Sequence, residues 1–547
     1  MSQPYTQIPA VHENSPDESL ELESLASSSE SFQGSVSSRG LSPLEDNDNE
    51  DEDNASPHHQ RSLSVSTIGD HMFNLVASAD HYIGSIVPLE KQKRLNLLHC
   101  LSLVVGLQIG SGIFASPNQV NAYTGSVGAS LIVWIVAGLL AWTGAASYAE
   151  LGSCIPLNGG SQAYLNQIFG PLPSFLFSWI AITILKPGST AIIAIVFGEY
   201  FARGLGASFM TSYWMQKLIA VLGLIIVTGL NSFSSISGAR AGNVFLFAKL
   251  LLLLAISIIG LVEIRRFRDT SALSSQGLFE GSSKSLGEYA VALYAGLWAY
   301  DGWDNVNYVS AEMKNPQRDL PRVIHIAMPT VIVAYIFTNI AYYAVMSEGE
   351  IEAATSVALT FATKIFGTVG GIVFALLISM SCFGALNATI FSSARLIYSA
   401  AGEGFLPQIF AQLHAKRGTP VNALLLQTAI TTVFILVGEF NSLVTFYGVA
   451  GYSFYFLSVF GVIVLRVREP NLERPYKTFI ATPIMFCCVA LFLVSRSVFE
   501  KPIESMFVAC FIISGLPIYF WRFGFHIPEW LKKLSLSNLL RIMRIKK

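Results

Sequence analysis

Long apolar stretches separated by short polar connections make up most of this chain. Each apolar run is close to the length of a helix that crosses the hydrocarbon core of a bilayer. The predicted spans cover residues 97–122, 127–149, 172–202, 214–233, 243–262, 288–309, 323–346, 368–399, 421–438, 442–465, 479–498 and 503–521. The pattern therefore predicts an all-α membrane protein with twelve transmembrane helices.

Polar tails flank this predicted membrane domain, which we place at residues 88–525. Residues 1–87 are acidic and rich in Ser and lack the apolar content for a core, so we expect a disordered tail. Residues 526–547 form a basic tail. An even number of spans puts both tails on one side, and the Lys and Arg residues of the connecting loops favour the cytoplasm.

The first span contains a short motif that weakens a helix. Residues 109–114 read Ile-Gly-Ser-Gly-Ile-Phe, and glycine destabilises a helix interior. Exposed backbone at membrane depth is tolerated where it lines a cavity or is buried in protein. The N–H groups of Gly110, Ser111 and Gly112 would then offer a seat for a carboxylate at the start of the next half-helix. The alternative is close packing of small residues against a neighbouring helix.

A second interruption is predicted in the sixth span, where residues 296–305 read Gly-Leu-Trp-Ala-Tyr-Asp-Gly-Trp-Asp-Asn. Asp301 lies near mid-membrane, where an ionisable group must face protein or water, and Gly302 favours unwinding. Interrupted helices that open two corresponding blocks of five spans indicate an inverted-repeat transporter. Amides in one break and carbonyls beside an acid in the other match the two charged ends of an amino acid. The alternative for Asp301 is a structural polar partner.

Two further side chains stand out within the spans. Lys249 lies inside the fifth span, where its ammonium needs a buried partner or must reach the headgroups. A fixed ammonium can occupy the place of a sodium ion and support carbonyls freed in the first span. Trp298 immediately precedes the second interruption, where it would cover a substrate as a gate or serve only as a packing aromatic.

Several functional classes are disfavoured by the composition. The chain is 52% hydrophobic and 13% charged, and its six cysteines lie in or beside apolar runs without metal-ligand spacing. Outside the spans there is no nucleophile and base pair. We therefore expect no enzyme, no metal, no cofactor and no nucleic-acid partner.

The motifs resemble a known family. They are Gly-Ser-Gly-Ile-Phe at 110–114, Glu-Leu-Gly at 150–152, Gly-Gly at 159–160, Ala-Lys-Leu-Leu at 248–251, the stretch 292–321, Ser-Cys-Phe-Gly at 381–384, Gly-Glu-Gly-Phe-Leu-Pro at 402–407 and Glu-Arg-Pro at 473–475. Together they resemble the L-type amino acid transporter light chains of the amino acid-polyamine-organocation superfamily. The residues around Asp301 are most similar to the light chain that exchanges cystine and dibasic amino acids for neutral ones.

This resemblance implies a LeuT-type fold, a 5+5 inverted repeat with broken helices 1 and 6. It also implies sodium-independent transport of L-amino acids, often by exchange. By position, Ser111 and Gly112 would bind the substrate carboxylate through their N–H groups. Carbonyls of Trp298, Ala299 and Asp301 would bind the ammonium.

The resemblance further implies that Trp298 is the gate and that Lys249 takes the place of a sodium ion. The Asp301 carboxylate would attract a cationic side chain.

The chain departs from the family at two points. The loop 203–213 has no cysteine, so we expect no disulfide-linked heavy chain and a protein that works as a single chain, as fungal relatives do. Gln108 replaces an apolar residue that is usual in the family.

The sequence thus predicts an exchanger of L-amino acids that accepts a broad range of neutral substrates and also cationic ones. We expect it in the plasma membrane rather than in the vacuole. One alternative is a proton-coupled symporter for neutral amino acids such as methionine, in which Asp301 or Asp304 takes the proton. Another is an amino acid sensor that signals through the acidic tail.

Overall fold

The computed structural model describes residues 93–206, 212–268, 271–275, 277–354, 356–438, 440–500 and 502–524. Within these ranges the chain is helical and contains no strand, apart from one isolated parallel bridge between Leu95 and Met313. The prediction of an all-α protein is confirmed. The tails predicted at 1–87 and 526–547 lie outside the described residues.

We number the helices in chain order. The first half contains α1 (Leu97–Gln108), α2 (Gly112–Ala115), α3 (Pro117–Thr124), α4 (Val127–Cys154), α5 (Ser161–Phe169), α6 (Pro171–Gly204), α7 (Tyr213–Phe233) and α8 (Ser235–Glu263). The second half contains α9 (Ala272–Ser275), α10 (Leu286–Ala299), a 3-10 helix (Asn305–Glu312), α11 (Pro316–Val345), α12 (Glu348–Ala353), α13 (Val357–Gly402), a 3-10 turn (Gln408–Ala411), α14 (Val421–Val437), α15 (Phe440–Arg468), α16 (Ala481–Glu500) and α17 (Pro502–Phe523).

Nine helical segments of the described chain are long and apolar enough to cross a membrane. Two more apolar helices, Val421–Val437 and Ala481–Arg496, are shorter. Helix α10 has only 14 residues because the chain is interrupted after it. Each apolar run of the sequence coincides with helical structure, as expected when length and hydrophobicity select the helices.

Both predicted interruptions are present. Helix α1 ends at Gln108, and helical structure resumes at Gly112. Helix α10 ends at Ala299, and the 3-10 helix begins at Asn305. Between them Gly302 has a φ of 102°, a backbone conformation that only glycine adopts readily. Each helix thus ends shortly before a glycine that weakens helical structure.

The two interruptions are in direct contact. A Cβ atom added at Gly112 would overlap the Cα atom of Ala299, and one added at Gly302 would lie 2.6 Å from Cγ of Leu107. Glycine is therefore required at both positions for the chains to approach. The small residues of the first motif both interrupt the helix and pack closely against the second interruption. The helix break and the close packing, considered as alternatives from the sequence, are therefore both present.

Other helices enclose this contact. Helix α1 packs against α8, α11 and α13, and α6 packs along α13. At the start of α1, the amide of Leu95 donates to the Glu312 carbonyl at 3.0 Å, and the amide of Lys314 donates to the Leu95 carbonyl at 3.0 Å. The start of the first interrupted helix is thereby tied to the end of the second.

Candidate functional site

The first interruption presents two backbone amides to the protein interior. The amides of Ser111 and Gly112 have no acceptor among the described residues, and both residues are buried. The amide of Gly110 donates instead to the Gln108 carbonyl at 2.7 Å. Of the three amides predicted to face a carboxylate, two are open, and the third is used within the turn.

The second interruption presents carbonyl groups. The Trp298 carbonyl accepts from the Asp301 amide at 3.1 Å, and the Ala299 carbonyl accepts from the Tyr335 hydroxyl at 3.0 Å. Because a carbonyl oxygen has two lone pairs, the Ala299 carbonyl retains capacity for another donor, whereas the Trp298 carbonyl also faces the Tyr300 amide. Trp298 is half-buried, and Asp301 is partly accessible. The predicted acceptors thus lie together at the end of α10.

Side chains join the two interruptions. The Gln108 amide Nε2 donates to the Tyr300 carbonyl at 3.0 Å, and the Tyr335 hydroxyl donates to the Gln108 carbonyl at 2.5 Å. The other amide atom of Gln108, Oε1, is buried and has no partner within the described ranges. The residue that departs from the family pattern therefore lies at the contact between the breaks.

Carbonyls at the end of α1 also have side-chain donors from other helices. The Nζ atom of Lys249 donates to the Gly106 carbonyl, and the Ser381 hydroxyl donates to the Ile109 carbonyl at 3.1 Å. The exposed fraction of Lys249 is 1%, so the alternative in which its ammonium reaches the headgroups is wrong. The predicted contact between this lysine and a freed carbonyl is present.

Backbone amides at one helix break and carbonyls at the other lie close together, because the two breaks are in contact. Comparison with protein families identifies the chain's relatives. A family model described as amino acid permease matches residues 95–518, most of the chain. The chain belongs to the amino acid permease family. With its apolar helices, the permease is a multi-pass integral membrane protein.

The permease is similar to several curated transporters. It is 38% identical to the b(0,+)-type amino acid transporter 1 of Mus musculus over 445 residues, which cover 81% of this chain and 90% of that protein. It is 33% identical to the Homo sapiens cystine/glutamate transporter, over 84% of this chain and 90% of that protein. It is 36% identical to the large neutral amino acids transporter small subunit 2 of Mus musculus, over 82% and 85%. The resemblance to L-type light chains is confirmed, and amino acid transport, rather than enzyme catalysis, is the family's activity.

The permease also contains a buried charged cluster that sequence reasoning missed. Lys186 on α6 lies with its Nζ atom 3.8 Å from Oδ2 of Asp304 and 4.1 Å from the ring centre of Tyr308. The same Asp304 oxygen accepts from the hydroxyls of Tyr308 at 2.9 Å and Tyr455 at 3.1 Å. A π-helical turn, Ala181–Leu185, directly precedes the lysine. A lysine inside an apolar span was the signal that should have identified this cluster.

Two acidic residues of the permease motifs have structural partners. Glu150 accepts from Nε of Arg466 at 2.8 Å and from the Thr478 amide at 2.8 Å. Glu312 accepts from Nε of Arg395 at 3.0 Å, and both of these side chains are buried. Each pair joins elements far apart in the sequence. These ion pairs indicate that both glutamates stabilise the fold.

Proposed function

We propose that this permease is a sodium-independent transporter of L-amino acids that works by exchange through alternating access. The observation that carries the proposal is the contact between the two helix breaks, with open amides at Ser111 and Gly112 and carbonyls at Trp298 and Ala299. A zwitterion bound there would pair both of its charged ends with backbone groups. An exchanger would change its accessible side only when this site is loaded, so each import would require an export.

The proposed architecture is a twelve-helix, LeuT-type 5+5 inverted repeat. Its support is the nine long apolar segments, the two shorter apolar helices and the interrupted α10 with its 3-10 continuation. The interrupted helices would open the first and second blocks of five. Unwound segments of two such helices are where repeat transporters of this kind bind their substrates.

In this proposal the substrate carboxylate binds the Ser111 and Gly112 amides, with Gly110 shaping the turn. The ammonium binds carbonyls of Trp298, Ala299 and Asp301. The half-buried Trp298 side chain covers the substrate as a gate.

Two charged side chains have proposed roles beside the substrate. The Asp301 carboxylate attracts a cationic side chain, so arginine and lysine are accepted beside neutral amino acids. Lys249 holds the Gly106 carbonyl with a fixed positive charge, where a sodium ion would otherwise be needed. Its burial within the protein supports this role, because a buried ammonium requires such a partner.

We propose that the permease reaches the membrane as a single chain, with both termini in the cytoplasm and the plasma membrane as its location. The loop 203–213 has no cysteine in the sequence, and the six cysteines of the chain are free thiols in the structure. That loop therefore offers no cysteine that could form a disulfide bond with a heavy chain.

A second candidate function is proton-coupled symport of neutral amino acids. The observation that favours it is Asp304, a buried carboxylate whose Oδ1 atom has no partner among the described residues. An amino acid sensor is the alternative from another class, and the tail on which it depends lies outside the described residues. Removal of residues 1–85 with unchanged uptake and lost signalling would favour the sensor.

Uptake into proteoliposomes tests the proposal. Labelled leucine and arginine are offered to empty vesicles and to vesicles preloaded with unlabelled amino acid, in sodium-free medium. We expect both labels to enter only preloaded vesicles, and Asp301→Gly to lose arginine uptake while keeping leucine uptake. Filling of empty vesicles under a proton gradient, with leucine uptake lost in Asp301→Gly, would replace exchange by symport.

A further inference from the structure

A histidine in the first half of α11 joins three parts of the chain. The Nδ1 atom of His325 accepts a hydrogen bond from the indole N–H of Trp142 on α4 at 3.2 Å, and its Nε2 atom lies 2.7 Å from the hydroxyl of Tyr476. Tyr476 belongs to the segment 469–480 that connects α15 and α16, which we call the α15–α16 loop. The ring of His325 meets both aromatic rings edge-on, with centres 6.0 Å and 5.3 Å apart. Both ring nitrogens are thus engaged, one by a helix and the other by a loop.

The bond to Trp142 requires a neutral histidine. An indole N–H can only donate, so Nδ1 of His325 carries no proton, and the ring proton is on Nε2, which donates to the Tyr476 oxygen. A second proton at Nδ1 would place one N–H group against another. The bond to α4 would then be lost, while the bond to Tyr476 is kept. Histidine is the side chain that takes up such a proton between about pH 8 and 5.

No charged group compensates for this loss within the described residues. The three elements that meet at His325 carry Glu150, the one charged residue of α4, Arg322, one turn earlier on α11, and Glu473, Arg474 and Lys477 beside Tyr476 in the loop. Glu150 is paired with Arg466 and Arg474, and His325 has no ion pair in the described part of the chain. Burial, and after it the Glu150 carboxylate, raises the pKa of the Tyr476 phenol, which therefore stays protonated.

The α15–α16 loop is fastened to α4 at a second point. Glu150 accepts from the amide of Thr478 in the loop at 2.8 Å, and Arg466 in the last turn of α15 pairs with the same carboxylate. Along the chain, α4 comes after the first interruption and α11 after the second. The loop is therefore bonded to the long helices that follow both interruptions.

We propose that His325 is a proton-sensitive tie, which joins α4, α11 and the α15–α16 loop while it is neutral and loses its bond to α4 when it is protonated. The pH on this side of the membrane, the cytoplasm in the proposed topology, would then regulate the permease. Because the tie restrains helices that follow both interruptions, its loss should speed exchange. The effect on transport rests on the proposed function, whereas the effect on stability does not.

The test compares variants that each remove one partner of His325. Trp142→Phe removes the donor to Nδ1, so protonation no longer breaks a bond. The matched control is Tyr476→Phe, which removes the hydroxyl at the other nitrogen and keeps the bond to Trp142. Thermal melting of the purified full-length proteins is measured at pH 8 and pH 5.5. On acidification the native protein and Tyr476→Phe should lose about 1–2 °C more than Trp142→Phe, the shift expected for one neutral hydrogen bond in a large chain.

Leucine exchange in preloaded proteoliposomes measures the effect on transport. The pH is the same on both sides, so no proton gradient drives uptake. Relative to Trp142→Phe, exchange by the native protein and by Tyr476→Phe should rise about fivefold from pH 8 to pH 5.5, the factor that corresponds to one neutral hydrogen bond. His325→Phe keeps a ring that cannot titrate, so it should behave like Trp142→Phe and replaces that variant if it does not fold.

Acid sensitivity that persists in Trp142→Phe, or that is absent from the native protein, would overturn the inference. So would a native melting temperature that rises with acid relative to Trp142→Phe, because the aromatic rings would then hold the charged histidine. A change in melting without a change in exchange would overturn the regulatory role. If the permease does not exchange leucine at all, the proposed function fails, and the melting comparison still decides whether protonation of His325 breaks the tie.

Discussion

Nζ of Lys186 lies 3.8 Å from Oδ2 of Asp304, and both side chains are buried. The pair joins α6 to the last residue of the second interruption, which lies between Ala299 and Asn305. Two tyrosine hydroxyls donate to the same carboxylate oxygen and compensate part of its lost hydration. A buried pair of this kind stabilises the fold only while both charges are present.

Removal of one charge from this pair should therefore destabilise the permease. We expect Asp304→Asn to lower the free energy of unfolding by about 3–5 kcal/mol, because the Lys186 ammonium is left buried without a counter-charge. The double variant Lys186→Met with Asp304→Leu should recover most of the loss. Thermal melting of the detergent-purified proteins measures both effects. A double variant that melts below both single variants would contradict this account.

Gly112→Ala should abolish transport or prevent folding. The added Cβ would overlap the Cα atom of Ala299, and backbone on both sides leaves little room to move. The matched control is Gly106→Ala in α1, where the added methyl group meets nothing within 4 Å. Because alanine is the better helix former, the control should be neutral or stabilising by up to about 1 kcal/mol. Uptake and melting temperature are compared for the two variants, and normal uptake by Gly112→Ala would refute the close contact.

Lys249→Met should reduce leucine uptake strongly. The Gly106 carbonyl would lose its donor, and leaving a buried acceptor unsatisfied costs about 1–3 kcal/mol. The control is Lys217→Met, which removes another buried lysine that donates to a backbone carbonyl, that of Leu436 at 2.6 Å, away from the breaks. Both variants should lose stability, but only Lys249→Met should lose uptake per folded molecule. Equal losses of uptake would show that position 249 has no special role.

Glu312→Gln should destabilise the protein more than the loss of an exposed ion pair. It leaves Arg395, a side chain with 1% exposure, without its carboxylate partner, at a cost of about 3–5 kcal/mol. Lys364→Met breaks the more exposed pair with Glu350, where the N–O distance is 2.6 Å, and should cost no more than about 1 kcal/mol. Denaturant or thermal unfolding ranks the two variants, and similar costs would argue against a buried Glu312.

Much of the fold is determined locally and was accessible from the sequence. The apolar runs predicted the helices because partition into a bilayer depends on the length and hydrophobicity of a continuous segment. The interruptions at Gly110 to Gly112 and around Gly302 were predicted because glycine weakens a helix at its own position. Lys249 was identified because a lysine within an apolar span needs a partner wherever the chain folds.

The partners of these groups were decided by the tertiary structure. The Tyr335 hydroxyl and the Gln108 carbonyl are 227 positions apart, and no local pattern links them. No local pattern links Lys186 with Asp304 either. The Gly110 amide donates to the Gln108 carbonyl within the turn and is therefore not open to a substrate. Helix formation and membrane insertion are properties of short segments, whereas the hydrogen-bond partner of a buried group depends on which distant helices pack against it.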